Sequence, residues 1–175
     1  MDNNTITIGL FGTCGSSTWR TAFVSAFDQQ SIPFFNPQLP EGVWTPDRAD
    51  EFVQAENKNL KSNDIVLFPV TDETTGQGSL AEIGFSVMDT IRNLNGRKLI
   101  VLVDLDCKCP KSTPAQIEES KRSRVLVRSK VADEAFVNPN VFLVDSIEEM
   151  YELTFKLYRN MTEYSHIKQE YLKAV

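Results

Sequence analysis

The stretch Asn63-Asp-Ile65-Val-Leu-Phe-Pro-Val70-Thr71-Asp72 sets a continuous apolar run between polar flanks. A run of that length without polar alternation reads as a strand covered on both faces, because a half-solvated strand would alternate. Residues 5–11, 99–103 and 141–144 repeat the pattern, and a weaker strand over 33–35 precedes Asn36-Pro37. Helical patterns lie between the strands. In residues 18–27, Trp19, Phe23 and Phe27 recur every four positions and form an apolar stripe. Residues 46–60 open with Thr45-Pro46-Asp47, an N-cap, a first-turn proline and an early acid. Further helices are expected over 79–94, within 113–130, and from Ser146 through Tyr158. Five strands, each followed by a helix, predict a mainly parallel sheet with helices on both faces and right-handed crossovers. The expected fold is a flavodoxin-like three-layer α/β/α sandwich. It occupies residues 1–160, with a polar extension over 161–175.

Composition narrows the function. The chain has 175 residues, of which 18 are Lys or Arg and 24 are Asp or Glu, for a net charge of −6. A nucleic-acid polymer is therefore not an expected partner, since neutralising phosphates takes a clustered basic face. The three cysteines, Cys14, Cys107 and Cys109, do not make a disulfide framework. They point to a reducing compartment. The N-terminal segment has no basic region ahead of its short apolar run, and no run approaches the ~20 residues a bilayer needs. A cytoplasmic protein with no membrane partner is the expectation. A zinc site at Cys107, Cys109 and Cys14 would lack a fourth ligand, since the single histidine, His166, lies in the extension. No metal or other cofactor is expected.

In open parallel sheets the ligand crevice lies beyond the carboxyl ends of the strands, where strand order reverses. For the order 2-1-3-4-5 this falls between the first and third strands, which singles out two loops. The first, Gly12-Thr-Cys-Gly15-Ser16-Ser17-Thr-Trp-Arg20, is a turn of small residues entering a helix. Its free amides suit an anion, and a tight turn with glycine for close approach uses the same residues. Arg20 reads either as an anion contact or as a solvated surface arginine. The second loop runs Thr71-Asp72-Glu73-Thr-Thr-Gly-Gln-Gly78-Ser79-Leu-Ala-Glu82-Ile-Gly84. Ser79-x-x-Glu82 has the spacing of a capping box. A first-turn carboxylate is also held ionised by the helix dipole, which keeps it available as a nucleophile. Glu56 falls on the apolar side of its helix, four residues after Phe52 and four before Leu60. It is either paired or projecting into a cavity, or it snorkels at the edge of the stripe.

Phe11-Gly12 through Trp19-Arg20, then Asn36-Pro37, then Glu56 ahead of Asn63-Asp64-Ile-Val-Leu-Phe68, then Gly78-Ser-Leu-Ala-Glu82-Ile-Gly84, together resemble the nucleoside 2-deoxyribosyltransferase superfamily. The short deoxyribosyltransferase-like and nucleotide N-hydrolase proteins are the branch they look most like. The resemblance covers roughly residues 6–104. It implies cleavage of the N-glycosidic bond of a nucleoside or nucleoside 5′-monophosphate, with the sugar passing to water or to another base. By the same resemblance Glu82 is the nucleophile and Glu56 the acid near the base that assists its protonation. Asp72 lies in the loop that supplies a hydroxyl-binding acid, although its distance from Glu82 departs from the pattern. Leu10 stands where the transferases carry a tyrosine. Gly12, Gly15, Ser16, Ser17, Arg20 and Ser79 offer more polar contacts than a neutral 5′-hydroxyl requires, and related nucleotide N-hydrolases hold a 5′-phosphate with such a set. Trp44 and Phe11 can stack on the base or simply pack. A homodimer or larger homo-oligomer follows from the resemblance alone. The alternative function is a flavodoxin-like module that binds a nucleotide without cleaving it.

Overall fold

The computed structural model describes residues 5–14, 17–39, 43, 45–93 and 96–174. Its elements alternate along the chain: β1 (Ile8–Leu10), α1 (Arg20–Gln30), β2 (Phe34–Phe35), α2 (Ala49–Ser62), β3 (Ile65–Val70), α3 (Gln77–Asn93), β4 (Lys98–Val103), α4 (Pro114–Val137), β5 (Val141–Val144) and α5 (Ile147–Ala174). The five strands form one sheet in the order β2-β1-β3-β4-β5, and every neighbouring pair is parallel. This is the expected flavodoxin-like sandwich, with the order reversing between β1 and β3.

The continuous apolar runs serve two cores at once. Along β3, Ile65 and Leu67 face one side and Val66, Phe68 and Val70 the other; along β4, Ile100 and Leu102 oppose Leu99, Val101 and Val103. Side chains alternate across a sheet, so a strand buried on both faces must be apolar at every position. On the first face, Trp19 at the N-cap of α1 and Phe23 and Phe27 within it meet Met150, Tyr151 and Phe155 of α5. Phe23 lies edge-on to Tyr151 with ring centroids 5.2 Å apart. On the other face, Leu80, Ile83 and Val87 of α3 and Val131 of α4 cover the sheet, with Leu60 of α2 at the margin. Each fully buried side chain of this size contributes about 1.5–3 kcal/mol.

Several boundaries differ from expectation. β1 is shorter than 5–11 because its start is tied off and its end turns away. The Thr7 N–H bonds the Asp64 carboxylate at 2.8 Å, and Gly12, at φ +93°, redirects the chain. Thr45 sits at the N-cap of a 3₁₀ turn, Pro46–Arg48, that leads into α2, but its hydroxyl makes no cap bond. α3 begins at Gln77 rather than Ser79. α4 carries a complete capping box between Thr113 and Gln116 and extends to Val137, well past 130. α5 does not end near residue 160 but continues unbroken as a 28-residue helix, about 42 Å long at 1.5 Å per residue. Residues 161–174 are the far part of that helix. Among the described residues no helix is long and apolar enough to cross a membrane.

Pro69 lies inside the central strand, where a missing N–H would ordinarily break the ladder. β1 pairs with β3 only at Ile65, Val66 and Leu67. The Pro69 carbonyl accepts from Thr13 N at 2.9 Å, on the β1 side. In a parallel strand a residue's nitrogen and carbonyl point the same way, so the proline nitrogen faces the place where β1 has already departed.

Candidate active site

The β1–α1 loop is fastened to the end of β3. Thr13 donates to the Pro69 carbonyl from both its N–H and its hydroxyl, each at 2.9 Å, and that hydroxyl accepts from Thr71 N at 3.0 Å. Gly12 is there for close approach, since a Cβ would meet Pro69 O at 2.4 Å. Arg20 is neither a solvated arginine nor a guanidinium aimed at a ligand. It is buried and donates to the carbonyls of Leu10, Thr13 and Gly12 and to Cys14 Sγ. A helix-initial arginine has no favourable use for its charge in the helix dipole, and here it gathers the loop's outward carbonyls instead. Ser17 is likewise turned inward, its hydroxyl 3.3 Å from that of Thr71.

The β3–α3 loop has its own buried arginine. Arg124 of α4, with no exposed surface, donates from Nη1 to Val70 O and Asp104 O, from Nη2 to Thr71 O and Thr74 O, and from Nε to Ser120 Oγ. Ser120 in turn donates to Thr75 O at 2.9 Å. Carbonyls at a strand end must be satisfied somewhere, and one side chain reaches four of them here, although Val70 O also accepts the Asp104 N–H at 3.0 Å. Asp72 does not join the ligand-facing residues. Its carboxylate pairs with Lys108 Nζ at 2.6 Å, and its N–H donates to Asp104. The role of hydroxyl-binding acid is therefore not supported by its placement.

Between the two loops opens a cleft of about 370 Å³ lined by Gly12, Thr13, Cys14, Glu56, residues 74–79 and Glu82. It lies at the switch point, and Glu56 from α2 and Glu82 from α3 enter it together. Glu56 thus projects into a cavity rather than snorkelling. Ser79 lines the cleft but is not an N-cap. Because α3 starts at Gln77 and Leu80 N already bonds Gly76 O, Ser79 is inside the first turn and Glu82 is in the second. There is no acid in that first turn, so the expected dipole-stabilised carboxylate does not occur. Burial, reinforced by the charge of Glu56, pushes Glu82 up to about 7. Glu56 is also raised by burial, with Arg20 pulling the other way. Burial likewise raises the Cys14 thiol despite Arg20 beside it.

The structure therefore brings Gly12, Ser79, Glu56 and Glu82 to one cleft, leaves Arg20 beneath its floor and sets Asp72 apart. Phe11 packs between Phe35 and Phe68, with centroids 5.7 and 5.5 Å away, and is fully buried. Gly15, Ser16 and Trp44 lie outside the described residues. Cys14 and the stretch 74–78 line the cleft within the two loops the sequence singled out, whereas sequence reasoning missed Arg124. For Arg124 a signal existed: Ser120, Arg124 and Val131, at spacings of four and seven, mark the inward face of α4. Among the described residues no three His, Cys, Asp or Glu side chains are grouped to hold a metal ion.

Fold and cleft together define an all-parallel α/β protein with two interacting carboxyl groups at its switch point. No protein-family model matches the sequence, and no curated protein matches it.

Proposed function

We propose that this protein is an enzyme that cleaves the N-glycosidic bond of a nucleoside or nucleoside 5′-monophosphate, passing the sugar to water or to another base. The observation that carries this reading is the pair Glu56 and Glu82, on different helices but facing one cleft, with the charge of Glu56 adding to the burial that raises Glu82. A nucleobase leaves well once protonated, and the oxocarbenium-like sugar that remains is stabilised or captured by a carboxylate. Near neutral pH Glu82, at about 7, is protonated in about half of the molecules, while Glu56 is raised by burial and lowered by Arg20. Delivering that proton to the base, with Glu56 as the relay, leaves Glu82 ionised and able to attack the anomeric carbon. One transfer supplies both the acid and the nucleophile.

The amides at the start of α3 support the binding of a 5′ substituent. Gln77, Gly78 and Ser79 line the cleft, and the first N–H groups of a helix have no partner within it. Assembly with a second copy belongs to the same reading. Its support is the exposed Phe85 and Met88, which edge a groove between α2 and α3 that Glu82 also lines. Light scattering should then give a mass above that of one chain.

The test is chromatography of a panel of nucleosides and 5′-monophosphates incubated with wild type, Glu82→Gln and Glu56→Gln. Free base released by wild type and lost in Glu82→Gln is expected. Base release that survives unchanged in Glu82→Gln would overturn the proposal, and so would tight binding with every ligand recovered intact.

A further inference from the structure

α5 is longer than the sheet it covers. It starts beside the carboxyl end of β5 and packs back along the sheet through Met150, Tyr158 and Met161. Its 28 residues rise about 42 Å, whereas the six residues of β4 span about 20 Å. The far part therefore outruns the amino ends of the strands, on the edge opposite the cleft. Its inward side is marked by Met161, packed against the core, and by Ser165, which is buried.

A second stripe runs along the other side of this segment. Tyr164, Ile167 and Tyr171 recur at spacings of three and four and are 69%, 57% and 69% exposed. At 3.6 residues per turn, Ile167 lies about 160° around the helix from Ser165. Leu153 and Leu157 stand earlier on the same stripe and are partly buried against the body. A seam with the a/d spacing of a coiled coil thus leaves the domain at Asn160 and runs on uncovered.

We propose that this stripe is the contact for a second copy of the chain, the two α5 helices pairing in parallel as a short two-stranded coiled coil. The charges choose both the partner and the direction. With Tyr164 and Tyr171 at a and Ile167 at d, Glu163 and Glu170 take g positions and Lys168 takes e. In a parallel pair a g residue faces the e residue five further along the partner helix. Glu163 then meets Lys168 of the second copy, twice by symmetry. Neither residue makes an ion pair within the chain among the described residues. An antiparallel pair that seats Ile167 on Tyr164 would instead set Glu163 against Glu170 and Lys168 against Met161. The contact is small. Tyrosine rings bury ~150–250 Å² each when covered, which places a seam of this length below the ~1,200 Å² of standard interfaces. Pairing is therefore reversible and concentration-dependent. It is separate from the groove between α2 and α3 and does not depend on what the cleft binds.

Sedimentation velocity over a range of concentrations tests this on the full chain carrying Phe85→Glu, which removes the groove beside α3 from the measurement. Self-association is expected, about tenfold weaker with Glu163→Lys and regained when Lys168→Glu is added. Both positions are exposed, so folding should persist. In the antiparallel pair Glu163→Lys would face Glu170 and strengthen the contact. Tyr164→Cys and Tyr171→Cys, each oxidised separately with the links mapped by peptide mass spectrometry, should both link to their own copies. Seven residues rise about 10.5 Å, so no antiparallel register brings both positions within the ~6.8 Å between Cα atoms that a disulfide accepts. A chain that stays monomeric up to about 100 μM, Glu163→Lys that pairs as tightly or more tightly, or a self-link at only one of the two positions would each overturn the proposal.

Discussion

Gly12 stands so close to Pro69 that a Cβ on it would lie 2.4 Å from the Pro69 carbonyl oxygen and 2.9 Å from the ring nitrogen. The contact joins the two loops that build the cleft, and its conformation, at φ +93°, is one that L residues rarely adopt. Gly12→Ala combines a backbone clash with a strained φ. It should cost about 2–4 kcal/mol, seen as a Tm lowered by about 5–15 °C in calorimetry.

Arg124→Met leaves the carbonyls of Val70, Thr71, Thr74 and Asp104 without their shared donor. Val70 O keeps the Asp104 N–H and Thr74 O keeps the Cys107 thiol, while Thr71 O and Asp104 O lose this donor, at a cost of about 2–5 kcal/mol. Urea denaturation should show that loss. Hydrogen exchange in residues 71–76 should accelerate more than in β4, since the loop loses its anchor while the strand keeps its ladder.

Stability should fall with rising pH across the range set by Glu82. Its ordinary value is 4.5 and its folded value about 7, so between the two the folded state holds a proton that the unfolded state has released. The stabilisation is complete below 4.5 and is lost as pH rises through about 7. Glu82→Gln, neutral throughout, should therefore match wild type at pH 4 and melt higher at pH 8. Equal Tm differences at both pH values would contradict the assignment.

Glu56→Gln removes the second cause of the Glu82 shift but not the first, which is burial. Glu82 should then titrate below about 7 yet still above its ordinary 4.5. Carboxyl carbon NMR of the labelled protein resolves this directly. If base release is observed, its pH profile should move in the same direction.

The sheet was legible because both of its faces are buried: runs such as Ile65–Val70 and Lys98–Val103 carry little besides apolar residues, and parallel pairing follows from alternation with helices. Glu56 was legible through its place on the apolar side of α2. Arg20 and Arg124 were not, because their partners are backbone carbonyls, which no residue type announces. The Ser79-x-x-Glu82 spacing misled for a local reason. Gly76, at φ +62°, precedes a helix that starts two residues earlier than expected, so Glu82 lies a turn away from the helix end, and burial together with the charge of Glu56 raises its ionisation instead.

Pro69 decides where the sheet stops and the crevice begins. An N–H at that position would offer β1 another rung. Without it the β1–β3 ladder ends at Leu67, and Thr13 ties the two loops together at the Pro69 carbonyl instead. The crevice thus opens beyond a single knot in the backbone, fixed as much by an atom the chain lacks as by those it has.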